Sequence, residues 1–222
     1  MGALNTYIDQ VQDLLHDPGA QMWTLPQLKN YINEARNRVA QDTKALRQVI
    51  SNSAYPTQMV FKQGIEFYNP QVFLPSPFGG NLVDVLGVSI TVNNERLRLV
   101  YKPYTFIDAM LRSWVNYQQW PQFWTRLSPI QICIAPVPNQ DYITDWDIAV
   151  NATPLVNDNT VDDMPVPFQE PVQYYAAKKA KINQQSQGES AFFQAEYERV
   201  LRQCARSYMQ RIIQDPYQAS VQ

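Results

Sequence analysis

Residues 24–60 read TLPQLKNYINEARNRVAQDTKALRQVISNSAYPTQMV, and within them the chain changes character. Leu28, Tyr31, Ile32, Ala35, Val39, Leu46, Val49 and Ile50 recur at the spacing that puts side chains on one face of a helix. Thr24 and Gln27 have capping-box spacing, and Pro26 falls in the first turn, where a missing N–H costs nothing. The pattern predicts a helix of about seven turns, ending near Ile50. From Ser51 prolines enter, and short runs such as Met59-Val60-Phe61 and Ile65-Glu66-Phe67-Tyr68 read as strands.

The same contrast holds outward in both directions. Before the long helix, Tyr7, Ile8, Val11, Leu14 and Leu15 predict a helix over Thr6 to His16, stopped by Asp17-Pro18-Gly19. Leu82 to Val92 and Leu97 to Tyr101 read as strands joined by a turn at Asn93-Asn94. Further strands are predicted over Phe123 to Leu127, Ile130 to Ile134 and Tyr142 to Val150, with a short helix from Thr105 to about Trp114. Helical spacing returns after Pro171. Val172, Tyr175, Ala176, Lys179 and Ile182 mark one helix, and Phe193, Tyr197, Val200, Leu201, Cys204, Tyr208 and Ile212 mark another, from Ser190 to about Gln214. The segment 51–171 holds 13 of the 16 prolines and four of the five tryptophans, residues suited to edges, turns and pleated surfaces. The expected class is therefore α+β: a four-helix-type bundle made by residues 1–50 and 172–222, with an antiparallel β-sandwich or barrel inserted over residues 51–171.

Composition narrows the function. Only 17% of residues are charged, while 25 glutamines and 15 asparagines supply a neutral polar surface. A net charge of −2 argues against simple duplex binding. By segment, residues 1–50 sum to 0, 51–171 to −5 and 172–222 to +3, so an acidic insertion and a basic C-terminal region are expected to meet different partners. No window approaches the ~20 apolar residues of a membrane span, and the start lacks a signal-peptide pattern, so a cytosolic origin without membrane attachment is expected. Cys133 and Cys204 are then expected as reduced thiols.

Catalytic patterns are scarce. His16 is the only histidine and suits a helix end; neither a nucleophile elbow nor a phosphate-binding glycine loop is present, and one histidine with two distant cysteines makes no zinc tetrahedron. Asp145 and Asp147 would share a strand face as a glycosidase-like pair, and Asp158, Asp162 and Asp163 could gather a hard cation, though acidic turn residues are the commoner meaning of such a cluster. Trp114, Tyr117, Trp120, Phe123 and Trp124 suit either a sugar-stacking platform or the core of a small β-domain. No cofactor, metal or catalytic residue is assigned. Arg36 and Arg38 on the long helix, and Arg199, Arg202 and Arg206 at i, i+3 and i+7 on the last, are the candidate interface residues.

Five pieces of sequence in a fixed order carry a resemblance: Tyr31 to Asp42 in the long helix; Ala135-Pro136-Val137-Pro138 followed by Tyr142; Leu155-Val156-Asn157-Asp158 before Met164-Pro165; Tyr174-Tyr175-Ala176-Ala177; and Ala191-Phe192-Phe193 with Tyr197. In these the chain resembles the head-to-tail adaptors of short-tailed bacteriophages, the group that includes tail tubular protein A and related head-completion proteins. The resemblance implies a non-enzymatic virion protein of the neck, assembled in the host cytoplasm. It further implies a dodecameric ring docked beneath the portal protein, holding the tail nozzle protein on its far side and passing genomic DNA through its lumen without reading its sequence. The charge difference between segments adds an expectation of orientation, with the helical ends toward the portal and the insertion toward the tail. The rival reading is a carbohydrate-binding or glycosidase tail module built on the aromatic β-region. Only Asp215 to Gln222 follows the last expected helix, so a long C-terminal docking arm is not expected.

Overall fold

A computed structural model describes residues 3–51, 54–55, 59–110, 116 and 118–209. The chain has an α+β fold and divides into two units, Met1–Leu46 with Asn151–Gln222 and Arg47–Val150. Helices α1 (Ala3–Leu15), α2 (Leu25–Thr43), α5 (Glu170–Asn183) and α6 (Gln187–Met209) build the first unit, together with a 3₁₀ turn over Val166–Phe168. Helix α5 is central, packing against α1, α2 and α6. Its buried face is Val172, Ala176, Ala177 and Ala180, small side chains that let neighbouring helices approach closely. Val11, Leu28, Ile32, Ala35, Val39, Phe193, Tyr197 and Val200 close the core around it.

Helix α2 stops about two turns before its apolar pattern does. Gln27 Oε1 accepts from the Thr24 N–H at 3.0 Å, as the capping spacing predicts, but Lys44 takes a left-handed conformation (φ 52°) and donates its N–H to Ala40 O at 2.8 Å. Residues 47–50, expected in the helix, instead belong to strand β1 (Arg47–Ser51), which pairs antiparallel with Tyr142–Val150 (β11), Ile50 opposite Trp146. Alternation decides the matter. Val49 and Ile50 are neighbours on a helical stripe, yet here Val49 is 59% exposed and Ile50 is buried, as a period of two requires.

The second unit contains two curled sheets. The first runs β1–β11–β4–β5, with β4 at Leu82–Val92 and β5 at Glu95–Arg98, and β2 (Val60–Phe61) adds to β11. Asn93 and Asn94 both have positive φ (51° and 65°) and turn β4 into β5, as the Asn-Asn dipeptide indicates. The second sheet runs β3–β9–β8–β6: Phe67–Tyr68, Gln131–Ala135, Phe123–Ser128 and Val100–Tyr101. Between the sheets lies an aromatic cluster in which Phe61 and Phe73 pack on Trp146, with ring centroids 6.0 and 5.2 Å away, and Phe61 also meets Tyr68 at 4.6 Å. Strand β9 is buried on both faces, with Cys133 and Ala135 turned toward Ile107 of α4 (Tyr104–Met110). One departure from a purely antiparallel sandwich is that β6 pairs parallel with β8, and β7 (Gln118–Gln119) with β10 (Val137–Pro138). Parallel neighbours need a crossover, and α4 lies in the β6 to β8 connection.

Candidate functional site

The first constellation comes from the polar face of α2. Four of its side chains, spaced about one turn apart, each hold the extended segment that follows Asn151. Gln41 Nε2 donates to Asn151 Oδ1 (3.1 Å), Arg36 Nη1 to Thr153 O (2.5 Å) and Lys29 Nζ to Val156 O. Asn33 bonds Leu155 at both ends, its amide donating to the carbonyl (3.2 Å) and its oxygen accepting from the N–H (2.8 Å). The ladder satisfies backbone groups that would otherwise compete for water, and it buries Leu155 completely. This is why residues 151–171, expected inside the insertion, group with the helices.

At the centre of the ladder Arg36 is fully buried. Its Nη2 lies 2.6 Å from Asp162 Oδ1 and 2.6 Å from Asp163 Oδ1. Asp162 also accepts from the Tyr7 hydroxyl (2.7 Å) and the Met164 N–H (3.0 Å), and Asp163 from the Thr153 N–H (2.7 Å). Burial, and then donation to Asp162, pushes the Tyr7 hydroxyl well above its ordinary pKa. One correction follows. Arg36, expected on a surface as an interface residue, is an internal brace, because a helix position off the apolar stripe becomes interior when another segment folds over it. The acidic cluster is engaged by the chain itself: Asp162 and Asp163 by Arg36, and Asp158 by the Asn5 N–H and side-chain amide at 2.9 and 2.7 Å. Among the described residues no group of three or more His, Cys, Asp or Glu side chains could hold a metal ion.

The paired carboxylates of β11 do share one face, as alternation predicts, but each answers an arginine. Asp147 accepts from Arg47 Nε at 2.6 Å across the β1 pairing, and Asp145 lies 3.1 Å from Arg96 Nε. Cross-strand ion pairs of this kind stabilise a sheet face. Of the aromatic run, Trp114 and Tyr117 lie outside the described residues, and Trp124 is buried beneath Tyr101, with ring centroids 5.1 Å apart. Among the described residues the half-buried Phe123 packs instead on Phe106, with ring centroids 6.2 Å apart. His16 is exposed and left-handed (φ 55°), just beyond the end of α1. The carboxylate of Asp17 next to it is buried and caps the following loop, accepting from the N–H groups of Gln21, Met22 and Trp23 at 2.8, 3.0 and 3.2 Å. Both cysteines are free thiols in the core, and burial pushes the Cys133 thiol up to about 12.

The remaining basic candidates are exposed. Arg38 pairs with Asp42 one turn on (3.0 Å), and Asp42 also accepts from the Tyr197 hydroxyl at 2.8 Å, which ties α2 to α6. Arg199 is held by Glu196 (2.7 Å), while Arg202 and Arg206 project from the last turns of α6.

Four of the five pieces that carried the resemblance lie in the helical unit, and several of them touch. Asn33, within the Tyr31–Asp42 piece, holds Leu155; Asp42 holds Tyr197; and Tyr175 stacks edge-on against Tyr197, with ring centroids 5.2 Å apart. Residues 4–219 match the family model of the SU10 adaptor protein. The chain belongs to the SU10 adaptor family. No curated protein matches it. Membership makes this adaptor a structural protein of a bacteriophage virion, a component of the neck.

The unit boundaries also change the adaptor's electrostatics. Seven acidic and seven basic residues cancel between 47 and 150, and the helical unit, with 13 acidic and 11 basic residues, carries the whole net charge of −2. The −5 expected of the insertion came from Asp158, Asp162, Asp163 and Glu170, which belong to the helical unit, and from placing Arg47 outside the sheet. What sequence reasoning missed, the Arg36 brace and its ladder, had one available signal: Lys29, Asn33 and Arg36 at near-helical spacing beside a polar, strand-poor segment rich in Asp.

Proposed function

We propose that this adaptor is one subunit of a closed ring, dodecameric as the resemblance implies, that joins the portal protein to the tail nozzle protein and continues the channel through which genomic DNA passes. The observation that carries the reading is the family match over residues 4–219. The chemistry of the chain supports it. The carboxylates that could have formed a glycosidase pair or a cation site are all engaged in ion pairs or hydrogen bonds that hold the fold together. The helical unit toward the portal and the β unit toward the tail is the orientation proposed, and with a charge-neutral β unit it does not rest on long-range attraction. Electron microscopy of the purified protein alone, with portal protein and with nozzle protein is the test. Rings seated on the portal, with the β unit distal, are expected. A protein that stays monomeric and never binds portal refutes the proposal.

A further inference from the structure

Two exposed helix faces of the helical unit carry opposite charge. On α1 the exposed charged residues are Asp9 and Asp13, and the helix contains no basic residue. On α6 the part from Arg199 to Met209 contains Arg199, Arg202 and Arg206 and no acidic residue. Arg199 is neutralised by Glu196. Among the described residues the side chains of Asp9, Asp13, Arg202 and Arg206 enter no ion pair or hydrogen bond. In both pairs the spacing is four residues, so the two carboxylates and the two guanidinium groups are each separated by about 6 Å along their helix.

Among the described residues no ion pair joins Asp9 or Asp13 to Arg202 or Arg206 within one molecule, so both sets of charges stay open.

We infer that the α1 face of one copy docks on the α6 face of the next, with Asp9 and Asp13 set against Arg202 and Arg206. The occupant of each face is a second copy of this chain, since one chain carries both halves of a complementary set of charges and leaves them unpaired. Such a contact is heterologous, using a different patch on each side, and a heterologous contact gives a ring when its rotation closes, as the proposed ring requires. Matched charges at the rim fix register and speed encounter, while the exposed Gln10 and Gln203 beside them supply neutral hydrogen bonds. The inference rests on the proposed ring and names the faces that join its subunits.

Charge reversal tests it. One full-length variant carries Asp9→Lys with Asp13→Lys, the other Arg202→Glu with Arg206→Glu. Sedimentation, with and without portal protein, reads self-association, and circular dichroism checks the fold. Each variant alone is expected to raise the apparent dissociation constant about tenfold or more, as two exposed pairs become repulsive. An equimolar mixture of the two is expected to recover wild-type association, because every contact in an alternating ring then pairs opposite charges. The chain carrying all four substitutions is expected to recover it too. Wild-type self-association that neither variant weakens, or weakening that neither the mixture nor the fourfold variant rescues, overturns the inference and leaves the ring standing. Variants that lose portal binding while still associating with themselves assign the faces to the portal and overturn it as well. A wild-type protein that never self-associates, even with portal present, overturns both readings together.

Discussion

Replacing Arg36 by methionine keeps most of the side-chain volume and removes the charge, so it isolates what the buried guanidinium does. Three acceptors lose their donor: Thr153 O, Asp162 Oδ1 and Asp163 Oδ1. Breaking a buried ion pair from one side costs about 3–5 kcal/mol, because the other charge stays buried and unpaired. Here the cost falls at the lower end. Asp162 keeps Tyr7 and the Met164 N–H as donors, Asp163 keeps the Thr153 N–H, and the Asp163 side chain is 32% exposed and partly solvated. A loss of ~3 kcal/mol is a large share of the 5–15 kcal/mol typical of a domain. With a urea dependence of about 1–3 kcal/mol per molar, the unfolding midpoint of the helical unit falls by about 1–3 M. Helical circular dichroism in urea reads that midpoint. The threefold variant Arg36→Met, Asp162→Asn, Asp163→Asn removes the stranded charges together with the arginine, and is expected to regain at least half of the loss. Arg38→Ala, at an exposed pair on the same helix, is the control, expected to shift stability by less than about 1 kcal/mol. An Arg36→Met midpoint within error of wild type, or a threefold variant less stable than the single one, refutes the brace.

Three further outcomes are expected. Trp146→Ala empties the space between the sheets, where the indole is fully buried and donates to Thr144 Oγ1 at 2.9 Å; a loss of about 3–5 kcal/mol in the β unit is expected, seen by tryptophan fluorescence in urea. Asp145→Asn with Asp147→Asn removes two pairs whose arginines are half exposed, so stability changes by no more than about 1 kcal/mol per pair. Assays on peptidoglycan and polysaccharide are expected to show no hydrolysis by either protein; a rate lost on substitution with unchanged fold contradicts this. Stability is expected to fall at both extremes of pH. Burial raises the Asp17 pKa, but N–H donation from Met22, Gln21 and Trp23 outweighs it and holds the carboxyl below its ordinary value. Its contribution is therefore complete above the unfolded value of about 3.9 and is lost as pH falls through the native one. Tyr7 and Tyr197 are raised by burial and by donating to Asp162 and Asp42, so their contribution is complete below about 10 and is lost as pH rises above that. Asp17→Asn should flatten the acid limb of a stability profile, and Tyr7→Phe with Tyr197→Phe the alkaline limb.

By itself the sequence determined what is local. Helical spacing located α1, α5 and α6, alternation located β4, β8, β9 and β11, and Asn93-Asn94 marked a hairpin turn whose two positive φ angles suit that dipeptide. The order of short pieces around a strand-rich middle pointed to the adaptor family, since those pieces encode contacts within one helical unit. Only the tertiary structure decided where a segment belongs when its local pattern is ambiguous. Residues 47–50 satisfy a helical stripe, and pairing with β11 made them a strand, because main-chain bonds and the burial of Ile50 against the sheet outweigh helix propensity. The segment after Asn151 has no period to read; the side chains of α2 captured it and so moved four acidic residues from one unit to the other. The same capture turned Arg36 from an apparent surface charge into the centre of a buried network, since burial depends on what folds over a residue and that is written elsewhere in the chain.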